Sequence, residues 1–242
     1  MSSQELLSII VPVYNEVATS RAVIDRLLAV DLPLPREVLV VDDGSTDGTG
    51  EVLDAAVRER LPIVVIHAPR NAGKGRAIRE GLRRASGTIV AIQDADLELD
   101  PRQLKELVAP ILEGTTEVVF GSRFLNGRGR APLVTFLANR VLTGATNALF
   151  LSSLTDMETC YKLMRTGVAR SLDLGADRFD IEPEITARLL RFGHRIYELP
   201  VRFEPRARAQ GKKIGWRDGV RAMQVLVRER FARPRPARAR SS

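Results

Sequence analysis

The most chemically informative residues are two aspartates that close an apolar run. Asp94 and Asp96 follow Ile89–Ile92, whose apolar side chains are typical of a buried strand. Both carboxylates would then lie at one strand tip, where oxygen ligands suit Mg2+ or Mn2+. Because carboxylates repel a diphosphate, a diphosphate ligand at this tip implies a metal ion between them. The pattern predicts a divalent cation on Asp94 and Asp96, with Glu98 as a further ligand, directly or through water.

Two earlier segments also end apolar runs with polar side chains. In Val11–Glu16, Tyr14 offers a flat face to a nucleobase and Glu16 an acceptor to a ribose hydroxyl; the alternative is a strand end followed by a helix cap. In Val41–Thr49, Asp42 and Asp43 stand at a second strand tip, although the glycines and Ser45 that follow also fit an ordinary turn.

A third loop, Asn71–Gly75, brings a lysine next to two glycines. The glycines allow the backbone to approach a ligand closely, and Lys74 can reach a phosphate. This loop is not a Walker motif, because it lacks the preceding glycine spacing and the following Ser or Thr. A simple turn that leads into a helix is the alternative interpretation.

These residues need a scaffold that brings strand ends together. Strands are predicted at Leu7–Val13, Glu37–Val41, Ile63–Ile66, Thr88–Gln93 and Glu117–Phe120, and helices at Ala18–Ala29, Thr49–Glu59, Lys74–Ala85 and Pro101–Leu112. This alternation predicts an α/β fold with a mainly parallel, doubly wound sheet and helices on both faces. Ligands in such sheets bind at the carboxyl ends of the strands, where the polar segments lie.

The pattern changes after Phe120. A Gly/Arg loop is predicted at Gly121–Arg130, helices at Pro132–Leu151 and within Asp177–Phe192, a strand at Ile196–Phe203 and a final helix at Trp216–Phe231. That last helix carries Trp216, Val220, Met223 and Val227 on one stripe and Arg217, Arg221 and Arg228 on another side. It would rest on anionic lipid or pack its stripe on the domain. We predict one domain over 1–231, with a first half at 6–120, a second half at 121–215, the helix at 216–231, and a disordered basic tail at 232–242.

Composition narrows the class of partner. The net charge is +7 and the pI is about 10.1, which fits an anionic partner or a basic proteome. Nucleic-acid binding is disfavoured, because the strand-end acids would repel a phosphate backbone. The single Cys160 fits a reducing, cytoplasmic compartment. We expect no signal peptide and no membrane span, so membrane contact would be peripheral at the cytoplasmic face.

Eight motifs occur in a fixed order along the chain. They are Val11-Pro-Val-Tyr-Asn-Glu16, Asp42-Asp-Gly-Ser-Thr-Asp47, Asn71-Ala-Gly-Lys-Gly-Arg-Ala77 with Gly81, Asp94-Ala-Asp-Leu-Glu98, Gly121-Ser-Arg123, Asp156-Met-Glu-Thr-Cys-Tyr-Lys162, Phe179-Asp-Ile-Glu-Pro-Glu184 and Gly211-Lys-Lys-Ile214. In this order they resemble inverting glycosyltransferases of family 2, which have the GT-A fold. The resemblance covers about residues 6–231 and is strongest to dolichyl- and polyprenyl-phosphate hexosyltransferases.

The resemblance implies a role for each matched position. It implies a nucleoside diphosphate sugar as donor, GDP-mannose in preference to UDP-glucose, and a polyprenyl phosphate as acceptor. The half at 6–120 would then bind the nucleotide sugar and the half at 121–215 the acceptor. Donor binding is expected from Pro12, Tyr14, Glu16, Asp42, Asp43, Lys74, Asp94 and Ala95. Asp96, Asp156 and Arg123 are the expected catalytic residues, and acceptor phosphate binding is expected from Arg123, Arg206, Arg208 and Lys213.

Asp156 separates two possible acceptors. A sugar hydroxyl must lose its proton during attack, and family members that use such an acceptor have an acid near this region as general base. A phosphate monoester has a second pKa of about 6, so it arrives ionised and needs orientation only. Asp156 would then position Lys162 or the acceptor. A nucleotidyltransferase, which shares the fold outline, is disfavoured because the Gly-rich signature near the first strand is missing.

Overall fold

Seven strands form one sheet in the computed structural model, which describes residues 5–205 and 216–232. They are β1 (Leu7–Val13), β2 (Arg36–Asp42), β3 (Val64–His67), β4 (Ile89–Ile92), β5 (Val118–Ser122), β6 (Lys162–Arg165) and β7 (Tyr197–Pro200). Their order across the sheet is β3-β2-β1-β4-β6-β5-β7. Only β6 runs antiparallel to its neighbours, so the mainly parallel sheet predicted from the sequence is confirmed.

Helices connect these strands, mostly at the predicted positions. They are α1 (Ser20–Ala29), α2 (Thr49–Arg58), α3 (Lys74–Arg84), α4 (Leu104–Leu112), α5 (Leu133–Phe150), α6 (Thr166–Ser171), α7 (Ile181–Arg191) and α8 (Trp216–Phe231). A 3-10 turn, Pro101–Gln103, precedes α4. Asp100 caps this turn by accepting a hydrogen bond of 3.0 Å from the Arg102 backbone amide, as the Asp-Pro pair predicts.

Strand register brings the polar segments to one edge of the sheet. β1 is almost wholly buried, because it lies between β2 and β4 with helices over both faces. Val13 pairs with Asp42, and Ile10 pairs with Ile92. All three strands are parallel, so the residues after them emerge at the same edge. Because these strands are buried, their register is fixed, and the register brings the polar residues that follow them to one edge of the sheet.

The centre of the sheet contains an element that sequence reasoning missed. β6 has the sequence Lys162-Leu-Met-Arg165 and pairs antiparallel with both β4 and β5. Its four residues begin and end with basic side chains, which gave no strand signal. Lys162 is nevertheless fully buried, because its ammonium ion-pairs with Glu182 and donates to the Met157 carbonyl oxygen at 3.2 Å. The short α6 that follows β6 was also not predicted.

The buried face of α8 differs from the predicted stripe. The stripe was to include Val220 and Val227, but these are 48% and 42% exposed. Ala222, Val225 and Leu226 are buried instead. The rotation follows from Glu229, which is buried on the same face against arginines of α7. Burying this carboxylate with its partners decides which side of the helix faces the protein.

Two expectations concern other parts of the chain. Within residues 5–205 and 216–232, none of the helices has the length and apolarity needed to cross a bilayer. Arg206, Arg208 and Lys213, predicted to bind the acceptor phosphate, lie outside the described residues, as do the last ten residues of the predicted tail.

Candidate active site

A cavity of about 720 Å³ opens at the carboxyl edge of the sheet. It receives residues that follow β1, β2, β3, β4 and β5, together with parts of α5 and α7. Most of the predicted site residues in the described part of the chain line it: Pro12, Tyr14, Glu16, Asp43, Lys74, Asp94, Ala95, Asp96, Glu98 and Arg123. Asp42 and Asp156 do not line it. The tertiary structure thus brings together predicted site residues that are up to 111 positions apart in the chain, from Pro12 to Arg123.

The loops after β1 and β2 are tied together by hydrogen bonds. The Asn15 amide donates to Ser45 Oγ at 3.0 Å, and the Glu16 amide donates to Thr49 Oγ1 at 2.9 Å. The Asn15 side-chain oxygen accepts from the Thr46 amide at 2.8 Å. These bonds fix the backbone on either side of the Tyr14 and Glu16 side chains at the cavity wall.

The two aspartates after β2 have different surroundings. Asp42 is buried beneath the site, where Oδ1 accepts from the Ser45 amide at 3.0 Å and Oδ2 contacts His67 Nδ1 at 2.9 Å. Asp43 accepts from the amide of Ala72 at 2.9 Å and from that of Gly73 at 2.7 Å. Gly73 has φ +104°, a conformation that L side chains rarely adopt. Asp43 therefore orders the loop before α3, and Asp42 supports the turn from below.

Lys74 is placed beside the strand-end acids. Its Nζ lies 2.8 Å from Asp94 Oδ1 and 2.9 Å from Glu182 Oε1. Burial alone would disfavour the charged form of Asp94, but the Lys74 ammonium outweighs it and holds the Asp94 pKa below its usual value. The carboxylate is therefore ionised at neutral pH, and a cation stands within reach of any phosphate bound there.

The acids after β4 fit a divalent cation by the chemistry of their donors. Asp94, Asp96 and Glu98 all line the cavity, and the Glu98 amide donates to Asp96 Oδ1 at 3.1 Å, which orients that carboxylate. The described residues contain no group of three or more His, Cys, Asp or Glu side chains placed to hold a metal. Mg2+ needs no such group when one or two carboxylates and substrate phosphates coordinate it. Asp94 and Asp96 fit that arrangement.

Arg123, which follows β5, and Asp156, which precedes β6, form a two-pronged ion pair. Arg123 Nε lies 2.7 Å from Asp156 Oδ2, and Nη2 lies 2.8 Å from Oδ1. The Arg123 amide and Asn139 Nδ2 also donate to this carboxylate, at 3.0 Å and 2.6 Å. Burial opposes ionisation of Asp156, but Arg123 holds its pKa below the usual value. Asp156 is fully buried, whereas Arg123 reaches the cavity.

Sequence reasoning overlooked Glu158 as a site residue. It lies two positions after Asp156 and lines the cavity together with residues of α7 and the loop before it, among them Phe179 and Glu182. The sequence signal that could have indicated it is an acidic side chain within the motif Asp156–Lys162, whose other residues are buried.

Comparison with known proteins fits this geometry. The family model described as "Glycosyl transferase family 2" matches residues 8–172, more than half of the chain. The chain belongs to glycosyl transferase family 2. It is therefore a glycosyltransferase, and the resemblance found in the eight motifs is confirmed for the family, the fold and the enzyme class.

Two curated relatives of this glycosyltransferase carry informative names. Undecaprenyl-phosphate mannosyltransferase of Micrococcus luteus is 31% identical over 218 residues, which cover 85% of this chain and 86% of that protein. Dolichol-phosphate mannosyltransferase of Pyrococcus furiosus is 28% identical over 215 residues, which cover 86% of this chain. The match spans only 59% of the length of the Pyrococcus protein.

A solved structure shows the same fold. It is glucosyl-3-phosphoglycerate synthase from Mycobacterium tuberculosis in complex with Mn2+, UDP and glucosyl-3-phosphoglycerate. The TM-score is 0.71 at 23% identity, and the superposition covers 97% of this chain and 82% of that one. The GT-A fold expected from the motifs is thereby confirmed.

Proposed function

We propose that this glycosyltransferase moves a hexose, mannose in preference to glucose, from a nucleoside diphosphate sugar to a polyprenyl phosphate, with inversion at the anomeric carbon. One observation carries the proposal. A single cavity is lined both by strand-end acids suited to a metal-bound diphosphate and by an arginine suited to a phosphate. The names of the Micrococcus and Pyrococcus relatives support the lipid phosphate acceptor and mannose as the transferred sugar, and the family resemblance favours GDP-mannose as donor. UDP-glucose is the alternative donor.

On the donor side, Tyr14 and Glu16 would bind the base and ribose, while Pro12, Asp43 and Ala95 shape the wall around them. Asp94 and Asp96, with Glu98 nearby, would hold Mg2+ or Mn2+, which supplies Lewis-acid stabilisation of the departing nucleoside diphosphate. Lys74, whose side chain is only 11% exposed, adds a fixed positive charge beside the same phosphates. A charge fixed in place before reaction costs no reorganisation when the leaving group departs.

On the acceptor side, Arg123 would bind the attacking phosphate. Asp156 holds the guanidinium by two bonds, so Arg123 keeps one orientation toward the cavity. Asp156 itself is a poor candidate for general base, because it is fully buried, does not line the cavity and has a lowered pKa. An ionised phosphate needs no base, which favours it over a saccharide hydroxyl. We assign Asp156 a positioning role.

The exposed face of α5 gives the acceptor lipid a surface to lie on. Leu133, Val134, Leu137 and Val141 are 51–69% exposed at helical spacing. Val134 also lines the cavity, so the apolar face runs out from the candidate active site. Exposed arginines at 128, 130 and 140 flank it. An apolar helix face edged by cations fits the surface of an anionic membrane, and we propose peripheral contact there.

Donor binding is tested by thermal shift with GDP and UDP, each with and without Mn2+. We expect a shift of several degrees with one nucleotide only when metal is present. Asp94→Asn and Asp96→Asn should each abolish the metal-dependent part, whereas Glu113→Gln, on the exposed surface after α4, should not. Transfer is then followed from labelled GDP-mannose or UDP-glucose to a short-chain polyprenyl phosphate or to a saccharide. Transfer to the saccharide alone would refute the proposed acceptor.

Membrane contact is tested by co-sedimentation with vesicles of phosphatidylglycerol or phosphatidylcholine. The wild-type protein should sediment preferentially with the anionic vesicles. The double variant Leu137→Ser/Val141→Ser should bind less, because it removes apolar surface that the fold leaves exposed. Val57→Ser is the control, since Val57 is an exposed apolar residue of α2, 45% accessible. Equal sedimentation of all three proteins would refute the assignment of α5.

A further inference from the structure

Two ion pairs lie at the wall of the cavity, and in each of them a carboxylate neutralises a cation. Arg123 pairs with Asp156 at 2.7 Å, and the buried Lys162 pairs with Glu182. The Glu182 carboxylate also lies 2.9 Å from Lys74 through its other oxygen. Each of these three cations therefore forms an ion pair with a carboxylate. No ion pair within 4.0 Å joins Glu158 to a cation of the described residues.

Glu158 faces this balanced group from the cavity wall. It is partly accessible from the cavity side, but Oε1 is buried without a hydrogen-bond partner among the described residues. A carboxylate oxygen in that position has lost water and gained no donor, which is costly for an ion. A neutral carboxylic acid tolerates it far better, because its carbonyl oxygen carries much less charge.

We propose that Glu158 is an acceptor-binding residue that works as a neutral carboxylic acid, donating a hydrogen bond to a phosphate oxygen of the acceptor. This inference rests on the proposed function. An ionised Glu158 would add a negative charge where an anionic phosphate must sit next to a second anion, the leaving diphosphate. The neutral acid removes that repulsion and supplies a donor, and Arg123 supplies the positive charge.

The electrostatics agree with this assignment. Burial, together with the carboxylates of Glu182 and Asp156, raises the pKa of Glu158 to about 7 against the opposing effect of Lys162 and Arg123. These groups belong to α7, to the loop that carries Glu158, to β6 and to the segment after β5. Binding of a phosphate dianion in the same cavity would favour the protonated form still more.

The proposal predicts a pH dependence with a definite sign. The acceptor's second pKa is about 6, so the acceptor stays ionised above pH 7 while Glu158 loses its proton. If only the neutral form binds, the apparent KM for the acceptor rises roughly fiftyfold between pH 7 and pH 9, because the competent fraction falls from about a half to about one hundredth. A base acting on a hydroxyl would give the opposite trend, with activity rising as it ionises.

The experiment compares wild type with Glu158→Gln and Glu158→Asp, measuring kcat and KM for a short-chain polyprenyl phosphate from pH 7 to pH 9. Glutamine has the same shape and donates from its amide at every pH. Glu158→Gln should therefore keep kcat within a few-fold and show an acceptor KM that does not change with pH. Glu158→Asp remains ionisable, so its KM should still rise with pH.

Three outcomes would overturn the inference. One is a wild-type acceptor KM that stays constant from pH 7 to pH 9, which needs no variant to fold. A second is an equal slope in wild type and Glu158→Gln. The third is a folded Glu158→Gln that has lost transfer at pH 7, since that would indicate a base. Failure of the proposed function looks different, because wild type would then transfer no sugar to the lipid phosphate at any pH.

Discussion

Replacing Asp156 by asparagine tests whether this residue positions Arg123 or takes a proton. The carboxylate is fully buried and receives four hydrogen bonds, from the amide, Nε and Nη2 of Arg123 and from Asn139 Nδ2. Asparagine keeps one acceptor oxygen, but its NH2 group is a donor and would face one of these four donors instead of accepting from it. Arg123, whose side chain is 13% exposed, would keep its positive charge but lose the negative charge of Asp156 that neutralises it.

The expected cost follows from this burial. Removing one partner of a buried ion pair typically costs about 3–5 kcal/mol, because the other charge stays behind uncompensated. One kcal/mol shifts Tm by roughly 2–4 °C in a domain of 150–250 residues. Asp156→Asn should therefore lower Tm by roughly 6–20 °C. Transfer activity should fall with it, because the guanidinium loses its fixed orientation.

Differential scanning fluorimetry and a transfer assay on the same preparation separate the two roles. Asp25→Asn is the control, because it breaks an exposed pair with Arg21 and should leave Tm nearly unchanged. Combining Asp156→Asn with Arg123→Met should recover part of the lost stability, since both charges are then gone. If Asp156→Asn kept the wild-type Tm but had a greatly reduced kcat, the positioning role would be refuted and Asp156 would instead be the general base.

Three other predictions concern stability. Tyr161→Phe removes a buried hydrogen bond of 2.6 Å to Gln93 Oε1 and should lower the free energy of unfolding in urea by about 1–3 kcal/mol. Gly121→Ala would place a methyl carbon 2.7 and 2.9 Å from neighbouring side-chain carbons and should cost about 1–3 kcal/mol; Gly167→Ala, with nothing within 4 Å, is its control. The pKa of Glu158 is about 7 in the folded state against 4.5 for the free group, so its stabilising contribution is complete below pH 4.5 and is lost as pH rises through 7. Tm should therefore fall between about pH 4.5 and pH 7.5 in wild type and fall less in Glu158→Gln, and equal slopes in the two proteins would contradict this.

Local patterns were enough to predict most of the scaffold. The apolar runs of β1 and β4 are long enough and sharply enough bounded to indicate buried strands, and Asp100 followed by proline marked the start of a helical segment. These signals depend on neighbours in the chain, so they are visible without a structure. The same holds for Asp94 and Asp96, whose place at a strand end follows from the strand itself.

Other features depended on contacts between distant segments. β6 is a strand because its backbone pairs with β4 on one side and with β5 on the other. Lys162 can be buried in it because the carboxylate of Glu182, from α7, neutralises its charge. The buried side of α8 was set by arginines of α7 in the same way. Ion pairs between distant segments leave no periodic pattern in the sequence, so the spacing of hydrophobic residues could not predict them.

The sequence by itself determined the family, the alternating α/β scaffold and the acids at the end of β4, because ordered motifs and strand ends are local properties. Only the tertiary structure decided which carboxylates face the cavity. Asp156 and Glu158 are two positions apart and equally acidic in the sequence, yet Asp156 is buried against Arg123 and Glu158 lines the cavity. Burial and the choice of ion-pair partner, which only the folded chain fixes, separate their chemistry.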